Sequence, residues 1–137
     1  MPQDPKPPFD PAKALGAQPA YSADRLTLYI PDRDKNSVEI GTQRRYVLEA
    51  IDLLSRIGGG STSTGQLEGA WLNPLTNTLV WDRPVLVYSS IDADKFFEKL
   101  PELRSFLHRM GRETNQGEVA LEFSGAFYRI TQFDEET

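Results

Sequence analysis

The chain offers few side chains that could carry out chemistry. It has one histidine, His108, and no cysteine among its 137 residues. A lone imidazole, with no second imidazole and no thiolate, cannot form the usual zinc sites. The sequence therefore predicts no metal, no cofactor and no nucleophilic hydrolase activity, and it favours a non-catalytic protein. A role for His108 alone as an acid or base stays open, against that of a helix-flank histidine that interacts with nearby carbonyls.

A glycine-rich run over residues 58–65 resembles a phosphate-binding loop in composition. It lacks the lysine of such a loop, and it follows a predicted helix instead of preceding one. The C-terminal end of a helix carries the negative pole of its dipole, which repels phosphate. The run therefore predicts a turn that needs positive φ.

Three oxygen-bearing residues match the first positions of a calcium loop: Asp32, Asp34 and Asn36. Ser37 stands where such a loop needs glycine, and Gln43 where it needs a bidentate glutamate. Solvated turn residues are the better interpretation.

Composition and charge restrict the partners. The net charge of −5 opposes binding to phosphate backbones, which depends on cation neutralisation. No apolar run approaches the ~18 residues of a membrane span, and the start of the chain has no hydrophobic signal segment. The sequence predicts a cytoplasmic protein with no membrane contact, for which nucleic acid is a poor partner.

The first 24 residues differ in composition from the rest. Six prolines fall within the first twenty residues, and proline fixes φ and removes a backbone donor. We expect residues 1–24 to form an extended arm without helix or strand. The arm is either a solvated terminus or a segment that docks on a partner.

The remaining chain alternates between patterns of period two and helical patterns. A strand is predicted from Arg25 to Ile30, and a helix from Thr42 to Ile57 with Gly58 at its C′ position. A hairpin of residues 66–72 and 79–89 should follow, with turn chemistry at Asn73-Pro74-Leu75-Thr76-Asn77.

Asp92 and Asp94 then predict the cap and first turn of a second helix over residues 93–110, which ends at Gly111. Pro101 should kink or break this helix. A last strand runs over residues 119–130 with a bulge at Gly125, and residues 132–137 form a solvated acidic tail.

These elements predict a ferredoxin-like α+β domain over residues 25–131. Its order, βαββαβ, gives a four-stranded antiparallel sheet with two helices on one face. Pro84 conflicts with this fold, because the third strand would be central and proline cannot donate to its ladder. Either Pro84 lies at a bulge or that strand is two pieces.

Two short motifs carry a family resemblance. Gly58 to Thr62 contains a GG-x-T turn, and Glu68-Gly69-Ala70-Trp71 follows as an EG-x-W strand. On these motifs the chain resembles, over about residues 25–130, small uncharacterised bacterial proteins. The resemblance implies the same order of strands and helices and no assigned activity.

Candidate binding residues lie on or near the predicted strands and on the second helix. The rings of Trp71 and Trp81 either pack under the helices or stand on the open sheet face with Tyr88. Rings on the open face favour cover by another protein chain, and the basic and aromatic signature of RNA-recognition domains is absent. Strand charges that share the open face would form a polar cleft for a small ligand, whereas ordinary cross-strand pairing is the simpler interpretation. The strand charges are Arg25, Glu68, Arg83, Glu122 and Arg129; the predicted binding residues are Glu68, Trp71, Trp81, Arg83, Tyr88, His108 and Arg129.

The sequence thus supports two functional hypotheses. The first is a non-catalytic protein-interaction or accessory module of a bacterial assembly, a homo-oligomer through its sheet. The second is a small-molecule enzyme or binding protein of the dimeric α+β barrel type, with a pocket that uses Arg, Glu, Tyr and His108. Fold analogy is the main support for the second hypothesis.

Overall fold

A computed structural model describes residues 9–19 and 23–135. The helices are α1 (Pro11–Leu15), α2 (Gln43–Gly58), α3 (Ala93–Glu98) and α4 (Leu100–Glu113). The strands are β1 (Asp24–Ile30), β2 (Thr62–Ser63), β3 (Gly69–Asn73), β4 (Thr78–Asp82), β5 (Val85–Ile91), β6 (Val119–Phe123) and β7 (Ala126–Ile130). The fold is therefore of the mixed α+β class, as predicted.

The main sheet has five strands in the order β2-β5-β1-β6-β7, and all neighbours pair antiparallel. Strand β1 lies at its centre. Its residues Leu26, Leu28 and Ile30 point to one face of the sheet and are fully buried. Helices α2 and α4 pack their apolar stripes on that face, and together they form one core. The prediction of a four-stranded sheet is wrong, since the main sheet of the described residues has five strands, and β3 and β4 form a separate hairpin.

The predicted last strand is in fact a hairpin of β6 and β7. Ser124 and Gly125 connect the two strands with φ of 53° and 82°. Positive φ at both central residues defines the tight two-residue turn that reverses an antiparallel pair. Gly125 therefore supports a turn, and the predicted bulge is wrong. This turn adds the fifth strand.

Pro84 divides the predicted third strand into two pieces. Of the two expected alternatives, a bulge or a divided strand, the structure has the second. Strand β4 ends at Asp82 and β5 begins at Val85. Because β5 lies between β2 and β1, a proline inside it would leave a ladder position without a donor. Strand β4 instead pairs with β3 in a separate two-stranded hairpin.

The helix ends differ from the prediction by one to three residues. Helix α2 includes Gly58, and Gly59 takes the left-handed cap position with φ of 87°. The Asp92 carboxylate caps α3 as predicted, by accepting from the Lys95 N–H. Pro101 lies in the first turn of α4, where its missing N–H costs little, and so the predicted helix is broken in two. Helix α4 passes through Gly111.

The described part of the arm is not wholly extended. Residues Pro11–Leu15 form one helical turn, in which Asp10 is the N-cap and Gly16 the C-cap. A proline at the first helical position is compatible with a helix, which is why the expected exclusion of helix is wrong here. None of the five helical residues is buried. Arm residues 1–8 and 20–22 lie outside the described residues.

Candidate functional site

The strand face opposite the helices is the first candidate site, and we call it the open face. Strand register places on it the residues that alternate with the core positions of β1, β5, β6 and β7. They are Arg25, Thr27, Tyr29, Leu86, Tyr88, Ser90, Ala120, Glu122, Phe127 and Arg129. Charges and aromatic rings are thus interleaved on one surface.

A tyrosine and a glutamate form the strongest polar contact of the open face. The Tyr29 hydroxyl donates a 2.7 Å hydrogen bond to Oε1 of Glu122. This bond, with burial, raises the pKa of Tyr29 to about 12 because both favour the neutral phenol. The Phe127 ring packs edge-on against Tyr29, with ring centroids 6.1 Å apart. The arrangement holds a carboxylate in place beside a half-buried aromatic pair.

The two arginines of the open face make different contacts. The Arg25 guanidinium lies 3.8 Å from the centre of the Tyr88 ring, in a cation–π contact. Arg129 forms a 3.6 Å ion pair with Glu118. Both side chains are exposed, at the open end of the β6–β7 hairpin. Neither arginine is paired with Glu122, so the expected cross-strand pairing among these three charges is not seen.

The β3–β4 hairpin is the second candidate site. Trp71 is 52% exposed and Trp81 is 61% exposed. Trp71 lies opposite Val80, and Trp81 lies opposite Ala70, so the two indoles project from opposite faces of the hairpin. Three leucines of the hairpin and its turn are also more than half exposed: Leu72, Leu75 and Leu79. One face is therefore apolar and open, with Leu72, Leu79 and Trp81, whereas the other exposes Trp71 among polar residues.

Hydrogen bonds attach the base of this hairpin to the domain. The Gln43 side-chain amide, at the start of α2, donates to the carbonyls of Ile30 and Arg83 at 3.1 and 2.9 Å. The buried Asp32 carboxylate accepts from the Arg83 N–H at 2.9 Å. The base is fixed by groups from β1 and α2, while the rest of the hairpin extends away with its side chains uncovered.

A groove of about 690 Å³ between α2 and α4 is a third candidate. Its floor is apolar, with Leu53 and Phe106, and its rim carries Glu49 and Arg109. These two rim residues form a 2.7 Å ion pair that joins the helices. The pair satisfies these two charges, and the other polar residues that line the groove are Asp52, Glu102 and Ser105.

His108 lies on the helix side of the sheet and is 7% exposed. Its Nδ1 atom accepts a 2.8 Å hydrogen bond from the Asp134 N–H, so its partner is a backbone amide and the expected carbonyl contact is wrong. Arg104 holds the Asp134 carboxylate with two bonds of 2.7 and 2.8 Å, and the bond lowers the pKa of Asp134. The predicted solvated tail is thus tied to α4 at Phe133 and Asp134.

In the acidic turn after β1, backbone groups of the turn itself hold the Asp34 carboxylate. Asp34 accepts from the N–H groups of Asn36 and Val38 at 2.8 and 3.0 Å. These bonds form an Asx turn, and the one from Val38 is the main reason that the pKa of Asp34 is lowered. The contacts agree with the interpretation of Asp34 as a solvated turn residue, whereas Asp32 is buried and bonds the Arg83 N–H, so that interpretation is wrong for Asp32.

The structure does not gather the predicted binding residues at one place. Tyr88 and Arg129 lie on the open face, on strands separated by β1 and β6. Trp71 and Trp81 lie on the hairpin, Glu68 and Arg83 lie next to its two strands, and His108 lies under the tail. Sequence reasoning missed Tyr29 as a partner of Glu122, because alternation gives the face of each residue but not the register between β1 and β6.

Together, the sheet order and the helices on one side define an antiparallel α+β fold whose second sheet face is open. No protein-family model matches the chain, and no curated protein sequence matches it. Among solved structures, a phage SAM lyase in complex with S-methyl-5′-thioadenosine has a similar fold, with a TM-score of 0.54 and 17% identity. The match covers 80% of this chain and 90% of the lyase chain. The apo state of a phage SAM lyase gives a TM-score of 0.49 at 17% identity, over 82% and 92% of the two chains.

Proposed function

We propose that the protein is a non-catalytic interaction module that associates with further copies of itself, and that the β3–β4 hairpin is a principal contact element. The observation that carries the proposal is the exposure of Trp71 and Trp81 on opposite faces of one hairpin. An isolated two-stranded hairpin is marginally stable in water, and tryptophan is enriched in the energetic centres of protein interfaces. A partner that covers both faces would stabilise the hairpin and bury its leucines.

The position of the hairpin supports a contact role. Gln43 and Asp32 fix its base, so the two strands leave the domain in a defined direction. A fixed direction reduces the conformational entropy lost on association. Patches of this kind on monomeric proteins mark interaction sites.

Truncation of the two indoles tests the proposal. Sedimentation equilibrium of the full chain should show self-association, and Trp71→Ala and Trp81→Ala should each weaken it at least tenfold, which is ~1.4 kcal/mol. The melting temperature of the monomer should hardly change because both side chains are exposed. Phe97→Ala on α3 is the matched control. Phe97 is an aromatic residue with a similar exposure, 63%, but it lies away from the hairpin. A monomer at all concentrations would overturn the proposal.

For the fold itself we propose the split βαβ, ferredoxin-like arrangement. The order β2-β5-β1-β6 supports it, with β7 as an added edge strand and the β3–β4 hairpin as an insertion before β5. Proteins of this arrangement place ligands or partners on the open sheet face in several unrelated ways, so the fold does not by itself select a function.

A second candidate function is binding of a small nucleoside-like molecule on the open face. It is supported by Tyr29 and Glu122, a hydroxyl and a carboxylate at hydrogen-bond distance beside aromatic rings, and by the fold similarity to a lyase that holds S-methyl-5′-thioadenosine. Titration calorimetry of the full chain with S-methyl-5′-thioadenosine and with SAM tests it. Glu122→Gln should weaken binding, whereas Glu39→Gln, on the acidic turn, should not. Equal heats for both variants and the parent would exclude the site.

A further inference from the structure

The outer edge of β7 is unpaired within the described residues. Strand β7 is the last strand of the sheet, and its first four residues are exposed. Phe127 is 56% exposed and Tyr128 is 50% exposed. The opposite edge strand, β2, has only two residues and therefore offers almost no template for pairing. The long edge is the one open to a further strand.

The β6–β7 turn determines which backbone groups point outward. In a two-residue hairpin turn the flanking residues, here Phe123 and Ala126, exchange hydrogen bonds across the pair. The alternation then directs the backbone groups of Ala126, Tyr128 and Ile130 towards β6. The N–H and C=O groups of Phe127 and Arg129 point away from the sheet.

This edge lacks the usual features that prevent pairing. Edge strands of natural proteins are commonly blunted by proline, by bulges or by several charges. Residues 126–130 contain no proline, pair with β6 in unbroken register, and carry one charge, that of Arg129. The edge is unbroken and five residues long, and Arg129 is its one charged residue.

We propose that a second copy of the chain pairs with this edge, with β7 antiparallel to β7 about a two-fold axis at Tyr128. The inference rests on the self-association proposed above and adds a second contact surface, besides the β3–β4 hairpin, through which two copies join. Phe127 of each copy then lies opposite Arg129 of the other, and each pair exchanges two backbone hydrogen bonds. The outward groups of the strand pair only with each other, so the register is self-complementary.

The side chains agree with this register. On the open face, Arg129 of one copy lies over or beside Phe127 of the other, in reach of a cation–π contact. The next residue in that row is Glu122, so the arginine also approaches a carboxylate of opposite charge. On the helix face the two Tyr128 rings meet at the axis as a cross-strand aromatic pair.

The helices leave room for this arrangement. Helix α4 packs near β6, and in the pair the two β6 strands lie three strand spacings apart, which is roughly 14 Å. Packed helices need only about 8–10 Å between their axes. The spacing of the helices therefore allows the two five-stranded sheets to form one continuous sheet, with α2 and α4 of both copies, and the tail tied to α4, on one side.

Single cysteines test the register, since the natural chain contains none. Tyr128→Cys places two thiols directly opposite each other at a pair without backbone hydrogen bonds, where Cα atoms are about 4.5 Å apart and a disulfide fits. Phe127→Cys is the matched control, because its two copies would be more than about 7 Å apart. Mild oxidation of the full chain should give covalent dimer for the first variant only.

The outcomes separate this inference from the function on which it rests. Covalent dimer from both cysteine variants, or from neither while sedimentation shows self-association, overturns the β7 pairing and leaves the interaction module standing. A chain that is monomeric at all concentrations overturns both. Arg129→Glu gives an independent check, since it should weaken association at least tenfold, whereas the same charge change at exposed Arg44 on α2 should not.

Discussion

The Phe133 ring lies directly against Gly111 of α4, where a Cβ atom would overlap it. This contact holds the segment after β7 on the helix, next to His108, whose ring meets that of Phe133 edge-on at 6.1 Å between centroids. Glycine is unfavourable inside a helix by ~1 kcal/mol relative to alanine, so its presence at position 111 reflects this close approach.

A double-mutant cycle should reveal the Gly111–Phe133 contact. Gly111→Ala in the natural chain should destabilise by up to ~2 kcal/mol, because overpacking of about 1–3 kcal/mol exceeds the helical preference for alanine. In a Phe133→Ala background the same change should stabilise by up to ~1 kcal/mol, since the overlap is gone. Urea unfolding measures both free energies, and an equal effect in the two backgrounds would contradict the contact.

The Tyr29–Glu122 bond predicts a loss of stability at high pH. The pKa of Tyr29 is raised from 10.0 to about 12, so the folded state holds the phenolic proton more tightly than the unfolded state does. The contribution of this tyrosine to stability is fully present below pH 10 and is lost as the pH rises through about 12. Glu122→Gln removes the charge and should lower the pKa of Tyr29 towards 10.

Absorbance titration of tyrosinate measures that change. The signal of Tyr29 is obtained as the difference between the parent and Tyr29→Phe, and the same subtraction in the Glu122→Gln background gives the shifted pKa. A pKa for Tyr29 that is the same in both backgrounds would show that the carboxylate is not its partner.

The tail contact predicts sensitivity to acid. Arg104 lowers the pKa of Asp134 below its ordinary 3.8, so the stability that this carboxylate contributes is present above that pH and is lost as the pH falls through the lower, folded value. Asp134→Asn should lower the melting temperature at neutral pH and flatten its fall in acid. Glu135→Gln, at the exposed neighbouring position, is the control. Parallel acid profiles for Asp134→Asn and the parent would contradict the contact.

Replacement by alanine should have different effects at two glycines, because Gly125 lies in the β6–β7 turn with positive φ and Gly60 does not. Gly125→Ala should destabilise by about 1–2 kcal/mol because φ at this position is 82°. Gly60→Ala should be neutral or slightly stabilising, since its φ is not positive and no atom lies within 4 Å of an added Cβ. Thermal unfolding of the two variants distinguishes these effects; equal losses would argue against the tight turn.

The sequence by itself determined the elements that local patterns encode. The alternation of Leu26, Leu28 and Ile30 identified a buried strand, and the helical spacing from Val47 to Ile57 identified α2 within one residue. Asp92 as a cap and Pro101 as a break were also readable, because caps and prolines act through their own backbone neighbours. The missing donor of Pro84 left two alternatives, a bulge or a divided strand, and the structure shows the divided strand.

Only the tertiary structure decided which residues meet. Gly111 appeared in the sequence as the end of a helix, yet α4 continues to Glu113. The glycine is needed there because the Phe133 ring, twenty-two residues later, occupies the space of a Cβ atom. The contact between Tyr29 and Glu122 depends on the register of β1 and β6, which alternation leaves free. Likewise, the exposure of both hairpin faces depends on which surfaces the rest of the chain covers, and that coverage is a property of packing between distant segments that no local pattern encodes.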